Sequence, residues 1–492
     1  VDRQKFSRRE ILSGAAGLMA ATTPWPRAGA ASARQTGGTV SSGADITGQL
    51  ARYMADARMR ALPADVLTAT KQRILDTLGA IVSGSRLAAG EKAIQFVRTQ
   101  GGVPEATVFT TAMKTSAINA ALANAMFGHA DETDDFEPVT KAHPGCAVVP
   151  AAFAMAERDG RSGVELIRAV ALGYDACCRF LLALGPDHVR ATHRSAEGTS
   201  ATFGSAAAAA SLARLDEQGM RYAISYAAQQ VSGLWSWVGD EDHVEKAFDF
   251  AGMGARNGVT AATMVQLGFT GVANVLDGEH NMLQAMSTAP RPDQMVADLG
   301  RRYFVTETAI KLFSVGYPIQ SAIDALLTLR RTHSLTPENV TSIRVALPPD
   351  AASIVNDSAM PDVNCQYIMA VALIDGTVSF EDSHSRARMI DPVIRAIRQR
   401  VEVVADRALI LPDAPRNSRV EATLTDGRTV THFTRHAPGT KENPLDAATL
   451  ETKVRDLMTP VIGAQRTSAV IQRVNTLETQ ASVRELTALL AS

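Results

Sequence analysis

Phe203-Gly204-Ser205-Ala206-Ala207-Ala208-Ala209-Ala210 is the stretch that decides the fold. Alanine loses no side-chain freedom in a helix, so the run favours helix over strand or loop. A helix carrying only methyl groups is also thin, and it buries its surface only where neighbouring helices approach closely. The same character extends outwards. Ile74, Leu75, Leu78, Ile81 and Val82 share one face at helical spacing, and Gly84 ends that helix. Residues 117–127 and 163–172 repeat the pattern, so the chain from about 46 to about 303 is predicted to be an all-α bundle.

The pattern changes after Lys311. Residues 340–347 alternate with β-branched side chains, 401–404 form a short apolar run, and 420–424 and 429–433 flank Asp426-Gly427, a strong hairpin signal. Helical periodicity lies among these strands at 319–329, 369–375 and 391–398, and returns beyond Pro444. The expected fold is mostly α. A discontinuous helical domain (46–305 and 440–492) carries an inserted, smaller α+β domain (306–439). No internal repeat is evident.

The 492 residues suffice for two domains and a large core. A formal net charge of −2 gives no electrostatic reason to expect nucleic acid or an anionic membrane as partner. A small molecule is the expected ligand. The four cysteines, Cys146, Cys177, Cys178 and Cys365, show neither metal-ligand nor disulfide spacing and read as small buried hydrophobes.

Residues 1–33 read as an address. Arg8-Arg9 precedes a weakly apolar run, then Pro24, Pro26 and the small-residue sites Ala28-Gly29-Ala30 and Ala31-Ser32-Ala33. This is the layout of a twin-arginine signal peptide, too short and too rich in Gly and Ala for a stable membrane span. Residues 34–45 read as a flexible spacer. The expectation is an exported, periplasmic protein with no membrane span once the signal is removed.

Chemistry concentrates in four places. Gly128-His129-Ala130-Asp131-Glu132-Thr133-Asp134-Asp135-Phe136 is followed by Ala142-His143-Pro144-Gly145, and so many carboxylates repel unless cations are near. Thr192-His193-Arg194-Ser195-Ala196-Glu197-Gly198-Thr199 reads as a polar loop opening onto the alanine helix, whose N-terminus could receive an anion. Lys246 precedes Gly252-Met253-Gly254, which lacks the strand and the third glycine of a dinucleotide loop. Lys311 begins Lys311-Leu312-Phe313-Ser314-Val315-Gly316-Tyr317-Pro318-Ile319-Gln320. Taken singly, these also fit a solvated acidic loop, a capping histidine and surface lysines.

Taken in order, the motifs resemble the MmgE/PrpD family, which includes 2-methylcitrate dehydratases, cis-aconitate decarboxylases and an epimerase of an amino-dicarboxylate. The resemblance runs from about Ile74 to Gly376, with Gly-His-Ala-x-Glu-x-Asp-Asp, Ala-His-Pro-Gly, Phe-Gly-Ser-Ala-Ala-Ala, Ala-Arg-Asn-Gly-Val, Lys…Pro-Ile-Gln and Gln-Tyr…Asp-Gly in sequence, and Asn443-Pro444-Leu445 fits as well. It implies a helical domain with an α+β lid, a homodimer, and cofactor- and metal-independent chemistry on a small di- or tricarboxylate. The implied catalytic residues are Glu132, Asp134, Asp135, His143, His193, Lys246, Lys311 and Tyr367, with Arg194, Thr199 and Gln320 binding substrate.

The first expectation is a lyase, specifically a hydro-lyase: a histidine removes the proton α to a carboxylate while lysines clamp the carboxylates. An isomerase/epimerase or a decarboxylase on the same scaffold is the alternative. A non-catalytic periplasmic carboxylate-binding protein is the third reading. Phe136, Asp249 and Gln320 depart from residues common in the family, which argues against the exact 2-methylcitrate reaction. Removing His143 or Lys246 is expected to abolish activity with little loss of stability.

Overall fold

The alanine helix is the centre of the molecule. In the computed structural model, which describes residues 45–491, it spans Ala196–Leu212 with every residue buried. Glycines let its neighbours close in. A Cβ on Gly173 would meet the Gly204 carbonyl at 2.9 Å, and one on Gly258 would meet the Ala206 nitrogen at 2.4 Å. The helices Gly163–Leu184 and Met253–Gln266 therefore lie against it at backbone distance. Apolar side chains from Ile46 to Ile310 and from Leu450 to Leu490 form one continuous core around it. The final helices, Ala447–Ile462, Ala464–Asn475 and Arg484–Leu490, thus pack with the first part of the chain. The protein is mostly helical, with a small mixed sheet in its C-terminal part.

A second core runs from Val315 to Leu424. A short ladder near the N-terminal side pairs β1 (Ala106–Thr107) with β2 (Lys114–Thr115). The main sheet comprises β3 (Val340–Leu347), β4 (Val401–Ala405), β5 (Ser418–Leu424) and β6 (Thr429–Thr434), in the order β4-β3-β5-β6. The β5–β6 hairpin turns at Asp426-Gly427, with Gly427 at φ 84°, as the sequence signal requires. β3 and β4 pair in parallel, which periodicity cannot reveal, because strand direction is set by the helices between them. The helices Gln320–His333 and Cys365–Asp375 belong to this second core.

The four cysteines are buried and unpaired, as small core residues would be. Among the described residues no helix is long and apolar enough to cross a membrane. The export signal at 1–33 and the spacer up to residue 44 lie outside the described residues.

Candidate active site

The helix Ala117–His129 ends in an Asp-Glu-Thr-Asp-Asp loop that should repel itself, and the structure shows what holds it. Glu132 sits at φ 55°, a left-handed conformation that folds the loop back on the helix end. Lys311 Nζ donates to the Glu132 carbonyl (2.8 Å) and lies 3.1 Å from its carboxylate and 3.3 Å from that of Asp134. Lys246 pairs with the other Glu132 oxygen. A third cation comes from the far end of the chain: Lys453 Nζ lies 2.6 Å from Asp76 and donates to the Thr133 carbonyl at 3.1 Å. All three lysines are buried, so this is an interior ion network.

Burial alone would raise Glu132 and Asp134. The ammonium groups of Lys246 and Lys311 outweigh it at Glu132, and His129, Lys311 and His143 outweigh it at Asp134, so both stay well below the usual carboxylate range. Burial lowers Lys311, but Asp134 and Glu132 win and raise it. The neighbouring acids behave differently. Asp131, buried against Ser83 (2.5 Å), is pushed up to about 7 by burial. Asp135 is pushed by burial to about 6. It accepts from Tyr174 Oη (2.5 Å) and Gly145 N (2.9 Å), so its job is to anchor the histidine turn. Only glycine fits there, because a Cβ on Gly145 would lie 2.8 Å from that carboxylate.

Asp134 organises two imidazoles. His143 Nδ1 lies 2.9 Å and His129 Nδ1 3.0 Å from the same Asp134 oxygen. An ionised carboxylate can only accept, so each ring presents Nδ1–H to it and leaves Nε2 as a base. His129 is wholly buried and stacked on Phe250 (ring centroids 4.1 Å apart); burial lowers it to about 3, so it stays neutral. His143 retains slight exposure, so of the two rings on Asp134 it is the one that solvent can reach.

Two further histidines complete the group, and the sequence offered no motif for either. His243 Nε2 lies 3.6 Å from Glu132 and its Nδ1 lies 3.4 Å from Asp362. Its backbone is left-handed at φ 60°, strain of the kind that collects at functional sites. His384 Nε2 lies 3.7 Å from the same Asp362 and 3.1 Å from the Asp131 carbonyl. Asp362 and His384 come from the second core, so this acid loop is covered by both parts of the chain.

Several expected residues fall elsewhere. His193 is exposed at φ 59° on the loop before the alanine helix and does not enter the buried group. Arg194 donates to the Met286 carbonyl and to Thr192 Oγ1 (3.1 Å). The N-terminus of the alanine helix is not an open anion seat. Ser195 caps it, Glu197 lies in its first turn, and the space beside Gly198 is taken by Asp249, which burial pushes up to about 7. Thr199 is buried in that turn with its hydroxyl unpaired. Gln320 donates to the carbonyls of Phe313 (2.8 Å) and Val315 (3.1 Å), fixing the turn that follows Lys311. Tyr367 Oη donates to the Asp382 carbonyl (2.5 Å), pinning the turn that carries His384. Gln320 and Tyr367 therefore position the site, and neither hydroxyl nor amide is aimed at Glu132.

Two donor sets, His129/Asp134/His143 and His129/Glu132/His243, each have their ligand atoms within 4.8 Å of one another. Their carboxylates are already neutralised by Lys246 and Lys311, whose charge opposes a divalent cation. The arrangement suits proton transfer beside an anionic group.

A helical body, a smaller α+β part and a histidine–lysine–carboxylate site between them define a family of enzymes. The chain belongs to it: residues 48–295 match the MmgE/PrpD N-terminal domain and residues 313–477 the C-terminal domain. Among its relatives, a cis-aconitate decarboxylase-like protein of Aspergillus oryzae is 25% identical over 91% of this chain and 97% of its own. The cis-aconitate decarboxylase of Aspergillus terreus is 24% identical over 90% and 96%, and that of Homo sapiens 24% over 86% and 90%.

Proposed function

We propose that this protein is a lyase acting on a small di- or tricarboxylate, moving a proton at the carbon next to a carboxylate. The observation that carries this reading is Asp134, which holds His143 and His129 by their Nδ1 atoms beside a carboxylate that Lys246 and Lys311 share. His143 Nε2 exchanges the proton with substrate. Lys246, close to the rings of Trp237 and Phe250 (5.0 and 5.2 Å), supplies the positive charge that steadies an enolate-like transition state. Glu132 holds that ammonium in place until a substrate carboxylate competes for it. The names of the relatives make decarboxylation of cis-aconitate the first reaction to test.

Dehydration of a hydroxy-polycarboxylate is the second reading. His243 favours it, since an imidazole backed by Asp362 on the other side of Glu132 can protonate a departing hydroxide.

Proton NMR in D₂O with cis-aconitate, citrate, 2-methylcitrate, malate and iminodisuccinate tests the proposal. Loss of CO₂ from cis-aconitate establishes the decarboxylase, and new vinylic signals from a hydroxy acid establish the hydro-lyase. Deuterium entering an α-position without bond cleavage would move the assignment to epimerisation. No turnover and no exchange with any acid would refute the lyase reading.

A further inference from the structure

Beside the acid loop lies a second charged group that the chemistry above does not use. Arg190, from the short helix Pro186–Ala191, and Arg416, from the segment before β5, converge on one carboxylate, Asp350, at 3.4 and 2.7 Å. Lys141 joins them from the loop that leads to His143, at φ 68°. The three basic side chains face two carboxylates, Asp350 and Glu197, the latter 3.8 Å from Arg190. Glu137, whose oxygens accept from Val139 N and from the Thr140 amide and hydroxyl, adds a further carboxylate beside Lys141.

Two features show that this group is built to hold something more. The Nε atoms of Arg190 and Arg416 are buried with no hydrogen-bond partner, although the Arg416 side chain is only 5% exposed. An unmet guanidinium donor in the interior is costly, and a carboxylate meets it with two parallel bonds. Burial also lowers Lys141 to about 7, with Arg416 and Arg190 pushing the same way against Asp350 and Glu137. A bound anion reverses that strain.

The position joins this group to the reacting centre. The Arg416 guanidinium lies 5.9 Å from the Phe136 ring, and the His143 ring lies 5.1 Å from Phe136 on its other contact. One aromatic ring separates the arginine from the base. Arg190 packs over Trp235 at 4.4 Å, which gives the group an apolar wall. Asp350 is half exposed and can swing outwards.

We propose that Lys141, Arg190 and Arg416 form the subsite for a terminal carboxylate of the substrate, the one remote from the reacting carbon, and that this carboxylate takes over the contacts Asp350 makes in the unliganded protein. The inference rests on the polycarboxylate reading above and adds to it a selection for three carboxylates over two.

Calorimetric titration tests it with two unreactive probes: tricarballylate, and 2-methylsuccinate, which is the same acid without one terminal carboxylate. The wild-type protein is expected to bind tricarballylate at least about tenfold more tightly. Arg190→Gln and Lys141→Gln should lose that tenfold and bind the two acids alike, with their affinity for 2-methylsuccinate unchanged. Arg190→Lys should keep part of the discrimination, which a merely structural role would not produce. Variants that still discriminate as wild type does would overturn the subsite and leave the polycarboxylate reading standing. A wild-type protein that binds neither acid would overturn both.

Discussion

Replacing Glu132 by Gln removes the charge on which the ion network closes. The carboxyl is held well below its ordinary range by Lys246 and Lys311, so at pH 7 the substitution deletes a full negative charge. Lys311 retains the Asp134 carboxylate at 3.3 Å and the residue-132 carbonyl at 2.8 Å. Lys246 pairs with Glu132 and is only 3% exposed, so most of the cost falls on it. Breaking a buried pair by removing one partner costs about 3–5 kcal/mol, and the same is expected here. Lys246→Met removes the stranded charge while still packing against Trp237 and Phe250, so the double variant should recover more than about 1 kcal/mol relative to the summed single losses. Urea unfolding of the four proteins at pH 7 gives this cycle. Because the folded-state carboxyl is depressed, its contribution is present above the ordinary carboxylate range and disappears as the pH falls below it. Single losses that add within about 0.5 kcal/mol would refute the network as drawn. The same pairing makes a stability cost the expected outcome of removing Lys246 as well, and the single Lys246→Met protein in this cycle measures it.

Other outcomes follow from neighbouring groups. Asp131→Asn should leave the Ser83 and Thr133 contacts in place. Because burial raises Asp131 from 3.8 to about 7, the wild-type protein loses stability as pH rises through that window and the variant does not; urea midpoints at pH 5 and 8 that shift equally in both would count against it. His143→Asn is expected to lower kcat on the true substrate by about 10²–10⁴ with the circular dichroism spectrum unchanged, and wild-type turnover would remove His143 from its role. Turnover should survive dialysis against a chelator, since Lys246 and Lys311 supply the cationic charge; loss of activity restored by added zinc would overturn that assignment. The Arg8-Arg9 pair is proposed to direct export, so replacing both with lysine should keep a reporter fusion in the cytoplasm.

Periodicity and turn chemistry made most of this architecture legible. The alanine run, the glycine stop at 84 and the Asp-Gly hairpin each act through local backbone preferences, and each element stands where those preferences put it. Glu132, Asp134, His143, Lys246 and Lys311 were readable because an ordered set of motifs brackets them, and the structure gathers them. His129 was visible inside the same motif, but nothing in sequence distinguishes a core histidine from one shared with Asp134. His243 and His384 had no signal at all. One reaches the site through a left-handed backbone angle, the other through the packing of the second core, and both are set by tertiary contacts. His193 stands apart from the buried group for the converse reason: a polar loop beside a buried helix can as readily face water. Tyr367 and Gln320 were found as residues, but their hydrogen bonds to backbone carbonyls make them supports.

The central claim is that the buried group around Glu132 and Asp134 is where a polycarboxylate is held for reaction. A crystal structure of the protein with tricarballylate tests it most directly. The account predicts a carboxylate of the ligand within hydrogen-bond distance of Lys246 Nζ and the carbon next to it facing His143 Nε2. Ligand bound only elsewhere, with the Lys246–Glu132 pair and His143 untouched, would contradict it.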